Sequence, residues 1–269
     1  MCYVQSVKVE ARAVDVTRRS RRLPGLAVKD GYTVHPFDEE FGVRTSGLIA
    51  GRDLKSGHRH DRHSTAYFGV APSVFATLMR RWRGLKPAAC VEETAFVDVG
   101  AGMGRAVLLA EQMPFKEVVG IELHPALARI ARRNLAGWRA EGRVKARKVR
   151  IVEGDAVEFR LPASPTVAFL FNPFGGAVMK RLLKNWNEAL RIRSNRLDLI
   201  YVNNEQESTL EEVQGFTRLF LGKVARSRAD AIADHRIMAN QPEGEYTSSN
   251  FEDCSIWRWS GPRSRIPPR

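Results

Sequence analysis

The sequence predicts an α/β domain whose parallel sheet is covered by helices on both faces. Two observations carry that prediction. From Thr94 onward, short apolar segments alternate with amphipathic ones of helical spacing. The apolar segments are also apolar almost throughout, as expected of strands buried on both sides. The chain has 269 residues, 43% of them hydrophobic, which suits one large α/β domain with an added cap.

The elements follow in order. Residues 95–99 (Ala-Phe-Val-Asp-Val) form a first strand, and 105–112 an amphipathic helix that stops before Pro114. Residues 117–121 form a second strand. Residues 125–138 form a helix with Pro125 in its first turn, where a missing N–H costs nothing. Strands at 149–152 and 166–171 follow, the latter nearly all apolar and hence central, then a helix at 177–190 and a fifth strand at 197–202. The end breaks the alternation. A helix is expected around 208–221, then two strands at 232–238 and 254–259. Only a polar loop with Pro242, Gly244 and Asn250 joins those two, so they should be antiparallel neighbours. Before Thr94 there is no strand–helix rhythm beyond a helix near 73–83, with Val74, Phe75, Leu78 and Trp82 on one face. The expected organisation is a tail at 1–25, a cap at 26–92, a ligand-binding domain at 93–261 and a tail at 262–269.

The formal net charge is +13, which invites a nucleic-acid reading. The excess sits in three stretches: 1–25 with six Lys/Arg against two acids, 139–150 with six against one, and 258–269 with four arginines and no acid. We read these as solvated tails and a basic loop rather than a nucleic-acid surface. No apolar run approaches the roughly 18 residues needed to span a bilayer, and no apolar signal region opens the chain. The arginine-rich start also carries Glu10 and Asp15, unlike a transit peptide, so a disordered tail or an over-long start is expected. Cys2, Cys90 and Cys254 are odd in number and widely spaced. A disulfide framework is therefore not expected, and a reducing cytoplasm fits.

The chemistry-bearing segments lie at the carboxyl ends of successive strands, where open α/β sheets bind ligands. The first is Asp98-Val99-Gly100-Ala101-Gly102-Met103-Gly104. Glycines let the backbone turn sharply and approach a ligand closely, and the following helix offers unpaired N–H groups. The spacing is G-x-G-x-G rather than G-x-G-x-x-G, and an acid stands two residues before the first glycine. A carboxylate there would repel a pyrophosphate, which argues against a nicotinamide oxidoreductase. The second segment is Glu122-Leu123-His124-Pro125, 18 residues after Gly104; a carboxylate there can accept both hydroxyls of a ribose. The third is Glu153-Gly154-Asp155-Ala156, whose Asp155 can accept from an exocyclic amine. The fourth is Asn172-Pro173-Phe174-Gly175.

In combination these motifs resemble the class I S-adenosylmethionine-dependent methyltransferases over roughly residues 94–260. The resemblance implies a Rossmann-like, doubly wound seven-stranded sheet in the order 3-2-1-4-5-7-6 with the last strand antiparallel. It implies S-adenosylmethionine as cofactor, with Gly100, Ala101, Gly102 and Gly104 beneath its methionine and ribose. Asp98 would organise the loop and the amino end, Glu122 and Leu123 would hold the ribose side, and Asp155 and Ala156 would meet the adenine. Residues 40–75, with Phe41-Gly42-Val43-Arg44-Thr45-Ser46-Gly47 and Tyr67, look like the leader of an uncharacterised bacterial subgroup. Asn172-Pro173-Phe174 is similar to the Asn-Pro-Pro-Tyr motif of amino-nitrogen methyltransferases, which makes these three the catalytic candidates. Phe174 stands where that motif has its second proline, so the bland alternative is a turn whose Asn172 helps position the cofactor.

Tyr67 is the cap's candidate for sealing the pocket, with a cap-anchoring core tyrosine as the equal alternative. His58, His60 and His63 with Asp61 have the residue types of a metal site, but Arg59 and Arg62 interleave with them. A polar loop and no metal is the reading taken. His124 reads as a helix-start residue rather than a base, and Trp257 and Trp259 as packed strand residues. Asn203-Asn204-Glu205, ending the fifth strand, is the candidate acceptor lining. Methyl transfer from a sulfonium needs alignment and water exclusion more than acid–base groups, so the motifs do not name the acceptor. A small molecule or protein is expected, with a nucleic-acid partner through 139–150 as the alternative and no membrane.

Overall fold

The computed structural model describes residues 33–193, 196–240 and 246–261. The two expected tails, 1–25 and 262–269, lie outside the described residues, as do residues 26–32 of the expected cap. The chain opens with α1 (Pro36–Phe41), a short hairpin of β1 (Leu48–Ile49) and β2 (Tyr67–Phe68), and α2 (Pro72–Gly84). The main unit follows: β3 (Ala95–Val99), α3 (Arg105–Glu111), β4 (Glu117–Glu122), α4 (Pro125–Ala140), β5 (Val149–Glu153), β6 (Thr166–Phe171), α5 (Gly176–Arg193) and β7 (Leu197–Val202). It ends with α6 (Glu207–Glu212), β8 (Phe216–Ala225), α7 (Arg228–Ala239) and β9 (Phe251–Trp259).

One seven-stranded sheet runs β5-β4-β3-β6-β7-β9-β8. The first five strands are parallel, and β9 is antiparallel to both β7 and β8. Counted from the sheet's own first strand, this is the expected order 3-2-1-4-5-7-6.

Side chains alternate across a strand, and here the alternation divides two cores. Phe96, Val167, Phe169, Ile200 and Val202 face one cluster with Val74, Phe75, Leu78 and Trp82 of α2. Val97, Val99, Ala168, Leu170, Leu199 and Tyr201 face the other with Met179, Leu182, Leu183 and Trp186 of α5. Helix α2 therefore covers the sheet itself. Its Trp82 indole donates to Asp198 of β7, which also takes Arg258 of β9. Of the expected cap, the α1 segment and the loop 42–70 reach the glycine turn and the carboxyl ends of the strands.

The chain end corrects two expectations. The helix expected over 208–221 stops at Glu212, and Phe216–Ala225 is the edge strand β8. Gly215, at φ +99°, turns the chain there in a conformation that favours glycine. The segment 232–238, expected as a strand, lies in helix α7. Ser227 caps that helix by accepting from the Asp230 N–H at 3.1 Å. Its buried Ala233, Asp234 and Ile237 have helical spacing. The antiparallel pair is thus β8 with β9. The basic stretch 139–150 comprises the last turn of α4, a loop, and the start of β5. It lies at the amino ends of the parallel strands.

Candidate functional site

Strand β3 ends in a turn whose Gly100, Gly102 and Gly104 have φ of +75°, +55° and +91°. The Gly100 and Ala101 N–H groups both donate to the Ile121 carbonyl, at 2.9 and 2.8 Å, which ties the turn to β4. Each glycine has a neighbour where a Cβ would stand. At Gly100 it would lie 2.5 Å from Pro173 Cβ, at Gly102 2.2 Å from the Tyr67 ring, and at Gly104 3.2 Å from Ala131 Cβ. The loop is therefore sandwiched by the turn after β6, the cap and α4.

Glu122, at the end of β4, is buried. It accepts from Gly102 N–H at 2.7 Å and from His124 N–H at 2.8 Å. A carboxylate offers about four lone-pair positions, and the Leu123 N–H is a third donor, so capacity for one further donor remains. Burial pushes its pKa up, and the N–H groups of His124, Gly102 and Leu123 partly offset this. Asp98 lies fully buried beneath the loop. Burial, and then the Glu122 carboxylate, push it up to about 8. A cation in this cleft would relieve both carboxylates, whereas an anion would not.

The cleft between the glycine turn, the carboxyl ends of β4, β5 and β6, and the cap is open to solvent. Tyr67, Gly100, Gly102, Glu122, Leu123, Asp155, Ala156, Pro173 and Phe174 all line it. Asp98, Ala101 and Gly104 sit behind this lining as buried residues of the turn or its flanks. Tyr67 is packed on Gly102, with its hydroxyl donating to the Thr45 carbonyl at 2.7 Å. It anchors the cap to the loop while its ring walls the cleft. His124 sits at the start of α4 and acts on Glu122 through its backbone N–H.

Asp155 Oδ1 accepts from Val157 N–H at 2.9 Å. Its Oδ2 is buried without a hydrogen-bond partner, 3.0 Å from His60 Nδ1 and 4.0 Å from His58 Nε2. Burial holds the His60 imidazole below its usual range in spite of the nearby Asp155 carboxylate. Asp61 points elsewhere, accepting from the backbones of Ser56, Gly57 and His58.

The turn after β6 is clamped by the cap. Thr65 Oγ1 donates to the Asn172 carbonyl, Thr65 N–H donates to the Pro173 carbonyl at 3.4 Å, and Gly175 N–H donates to the His63 carbonyl at 2.9 Å. Asn172 Oδ1 accepts from the Tyr201 hydroxyl at 3.3 Å. Asn172 and Asn203 both hold left-handed backbone, with φ of 40° and 48°. Asparagine tolerates this region better than most residues. Both line a second cavity with Glu205, Arg226 and Asp253. It shares Thr65, Ala66, Phe68 and Phe171 with the first, so the two are adjacent.

Sequence reasoning missed Arg105, which is 2% exposed at the start of α3. Its Nε donates to Thr45 Oγ1 at 2.6 Å and its Nη1 to the Gly69 carbonyl at 3.1 Å, while Nη2 lies 3.7 Å from Asp38. Asp38 in turn accepts from the N–H groups and hydroxyls of Thr45 and Ser46. This buried cluster fastens the cap to the helix that the glycine turn begins. Its one sequence signal was an arginine facing a helix interior.

No family model and no curated protein matches the chain. Solved structures do. The precorrin-6y C5,15-methyltransferase of Geobacter metallireducens is 19% identical, with a TM-score of 0.43 over 67% of this chain and 87% of its own. TrmN of Thermus thermophilus is 14% identical, with a TM-score of 0.44 over 71% and 49%. The (4+2)-cyclase SpnF is 15% identical, with a TM-score of 0.45 over 62% and 75%. These are likenesses of fold. By its own sheet order and its reversed last strand, the chain has the Rossmann-like fold of the class I methyltransferases.

Proposed function

We propose that the chain is an S-adenosylmethionine-dependent methyltransferase acting on a small-molecule or protein acceptor. One observation carries the reading: Asp98, Glu122 and Asp155 stand on or just after three neighbouring strands, around one glycine turn bordering one cleft. The donor set fits the cofactor. Glu122 has spare capacity for a ribose hydroxyl, Asp155 Oδ2, which accepts no hydrogen bond, suits an exocyclic amine, and buried Asp98 favours a cationic ligand. When bound, the cofactor supplies a methyl group already activated on a sulfonium.

The chain's own residues then bind, orient and exclude water. Tyr67, Pro173 and Phe174 wall the cleft, and Thr65, Ala66, Phe68 and Phe171 stand between it and the second cavity, whose Asn172, Asn203 and Glu205 we assign to the acceptor side. Phe174 stands where the Asn-Pro-Pro-Tyr motif has its second proline, and on that departure we assign Asn172-Pro173-Phe174 to shaping the pocket. The basic stretch 139–150 lies at the opposite end of the sheet from the cleft, which favours a small-molecule or protein acceptor over a nucleic acid. Among the described residues no helix is long and apolar enough to cross a membrane, and we place the protein in the cytoplasm.

Glu122→Ala tests the reading. A charge-assisted bond to the ribose contributes about 1.5–3 kcal/mol, so calorimetry should find S-adenosylmethionine bound about 10- to 100-fold more weakly. Native affinity in a folded variant would remove Glu122 from the site. A pH dependence follows from Asp98. Its carboxyl titrates near 3.8 in the unfolded chain and at about 8 when folded. The folded state therefore holds the extra proton, and ligand-free stability falls as pH rises between those values. A cationic ligand favours the ionised form, so the rise in Tm on adding S-adenosylmethionine should be larger at about pH 8 than at about pH 6. A rise independent of pH would contradict a cation-binding role for Asp98.

A further inference from the structure

We propose that His58, His60 and Asp155 form a binding site for a zinc-class divalent cation at the rim of the cleft. Their ligating atoms, one per residue, all lie within 4.8 Å of one another. Tetrahedral zinc with bonds of about 2.0–2.2 Å sets its ligands roughly 3.3–3.5 Å apart. The 3.0 and 4.0 Å separations from Asp155 Oδ2 bracket that value.

The second observation is that His60 Nδ1 and Asp155 Oδ2 are both buried, face each other, and have no hydrogen-bond partner. Two buried polar atoms left without a hydrogen bond are costly, and a cation between them satisfies both. The loop is built to present the histidines. Asp61 holds the turn by accepting from the Ser56, Gly57 and His58 N–H groups. The interleaved arginines, which argued against a cation in the sequence, are engaged by other residues, although Arg59 still adds positive charge near His60. Arg59 lies 3.7 Å from Glu158, and Arg62 donates to the His63 ring at 3.2 Å. The His58 side chain is 32% exposed, which gives an ion a way in and leaves room for water as a further ligand.

Two imidazoles and one carboxylate suit zinc, cobalt or nickel rather than magnesium or calcium. His58 is the weakest of the three ligands. Its Nδ1 now accepts from His60 N–H at 3.2 Å, and binding metal through Nε2 moves the ring proton to Nδ1 and ends that contact. One consequence rests on the methyltransferase reading: a metal on Asp155 Oδ2 occupies the oxygen assigned to the adenine amine. Metal and cofactor should then oppose each other.

The test uses the untagged full chain after chelator treatment, titrated with zinc by calorimetry and with cobalt by its visible absorption. Magnesium is the control. One zinc or cobalt ion per chain is expected, with a dissociation constant on the order of micromolar. His60→Ala and Asp155→Asn should each weaken it about 100-fold or more and His58→Ala about tenfold, with His63→Ala unchanged. His60→Gln and circular dichroism guard against misfolding. Absent uptake, or uptake indifferent to both His60→Ala and Asp155→Asn, overturns the site. If S-adenosylmethionine still binds in that case, the methyltransferase reading stands without it. Zinc uptake that raises the cofactor's dissociation constant supports the coupling. Zinc uptake that leaves it unchanged overturns the coupling and the adenine role of Asp155, while supporting the metal site.

Discussion

Gly102→Val is expected to abolish binding of S-adenosylmethionine, with affinity falling more than about 100-fold. Two effects add. At φ +55° the backbone is strained for any residue with a Cβ, and most for a β-branched one. A Cβ here would also stand 2.2 Å from Tyr67 Cε2 and 2.4 Å from Cδ2, so the ring must leave. Because the Tyr67 hydroxyl holds the Thr45 carbonyl, displacing the ring pulls the cap from the loop. The Gly102 N–H to Glu122 bond goes with it, and the ribose acceptor loses its orientation. The two cores on either side of the sheet are not touched, so far-ultraviolet circular dichroism should stay close to native. Native affinity in this variant, measured by calorimetry, would mean that the glycine turn does not hold the cofactor.

Arg105→Ala carries the largest expected loss of stability. The guanidinium is 2% exposed and bonded to Thr45 and Gly69, with Asp38 at 3.7 Å. Removing one partner of a buried ion pair costs about 3–5 kcal/mol, because the remaining charge is left uncompensated. For a domain of this size that is a fall in Tm on the order of 10 °C. If uncompensated Asp38 is the cause, adding Asp38→Asn should recover part of the loss, since the pair is then removed from both sides. Additive losses would place the effect in packing instead. Cofactor affinity should fall too, since Thr45 links this cluster to Tyr67. Unchanged Tm in Arg105→Ala would contradict the account of how the cap is fastened.

The glycine turn, the five parallel strands and their helices were legible because each is a local pattern. A strand buried on both faces is a run of apolar residues, and Thr166–Phe171 reads so without ambiguity. The edge strand β8 was not legible. With one neighbour and partial exposure, Phe216–Ala225 carries no apolar run longer than Leu219-Phe220-Leu221, and its Phe216, Phe220 and Leu221 also fit a helical spacing continued from Leu210 and Val213. The residues of α7 failed for a related reason, because its buried face includes Asp230 and Asp234. The site was half legible. Glu122 and Asp155 announce themselves by following strands. The contacts that complete them join residues far apart in sequence, such as His60 with Asp155, Asp38 with Arg105 and Thr65 with Asn172. Asp61 looked like the partner of the histidines because it is adjacent, whereas the folded loop turns them toward Asp155.

The central claim is that this cleft binds S-adenosylmethionine, and calorimetric titration of the full chain tests it most directly. The account predicts one S-adenosylmethionine per chain, binding of its demethylated product at the same stoichiometry, and no heat from NADH or NADPH. Saturable binding of either nicotinamide cofactor, or no heat from S-adenosylmethionine at a protein concentration well above micromolar, would contradict it.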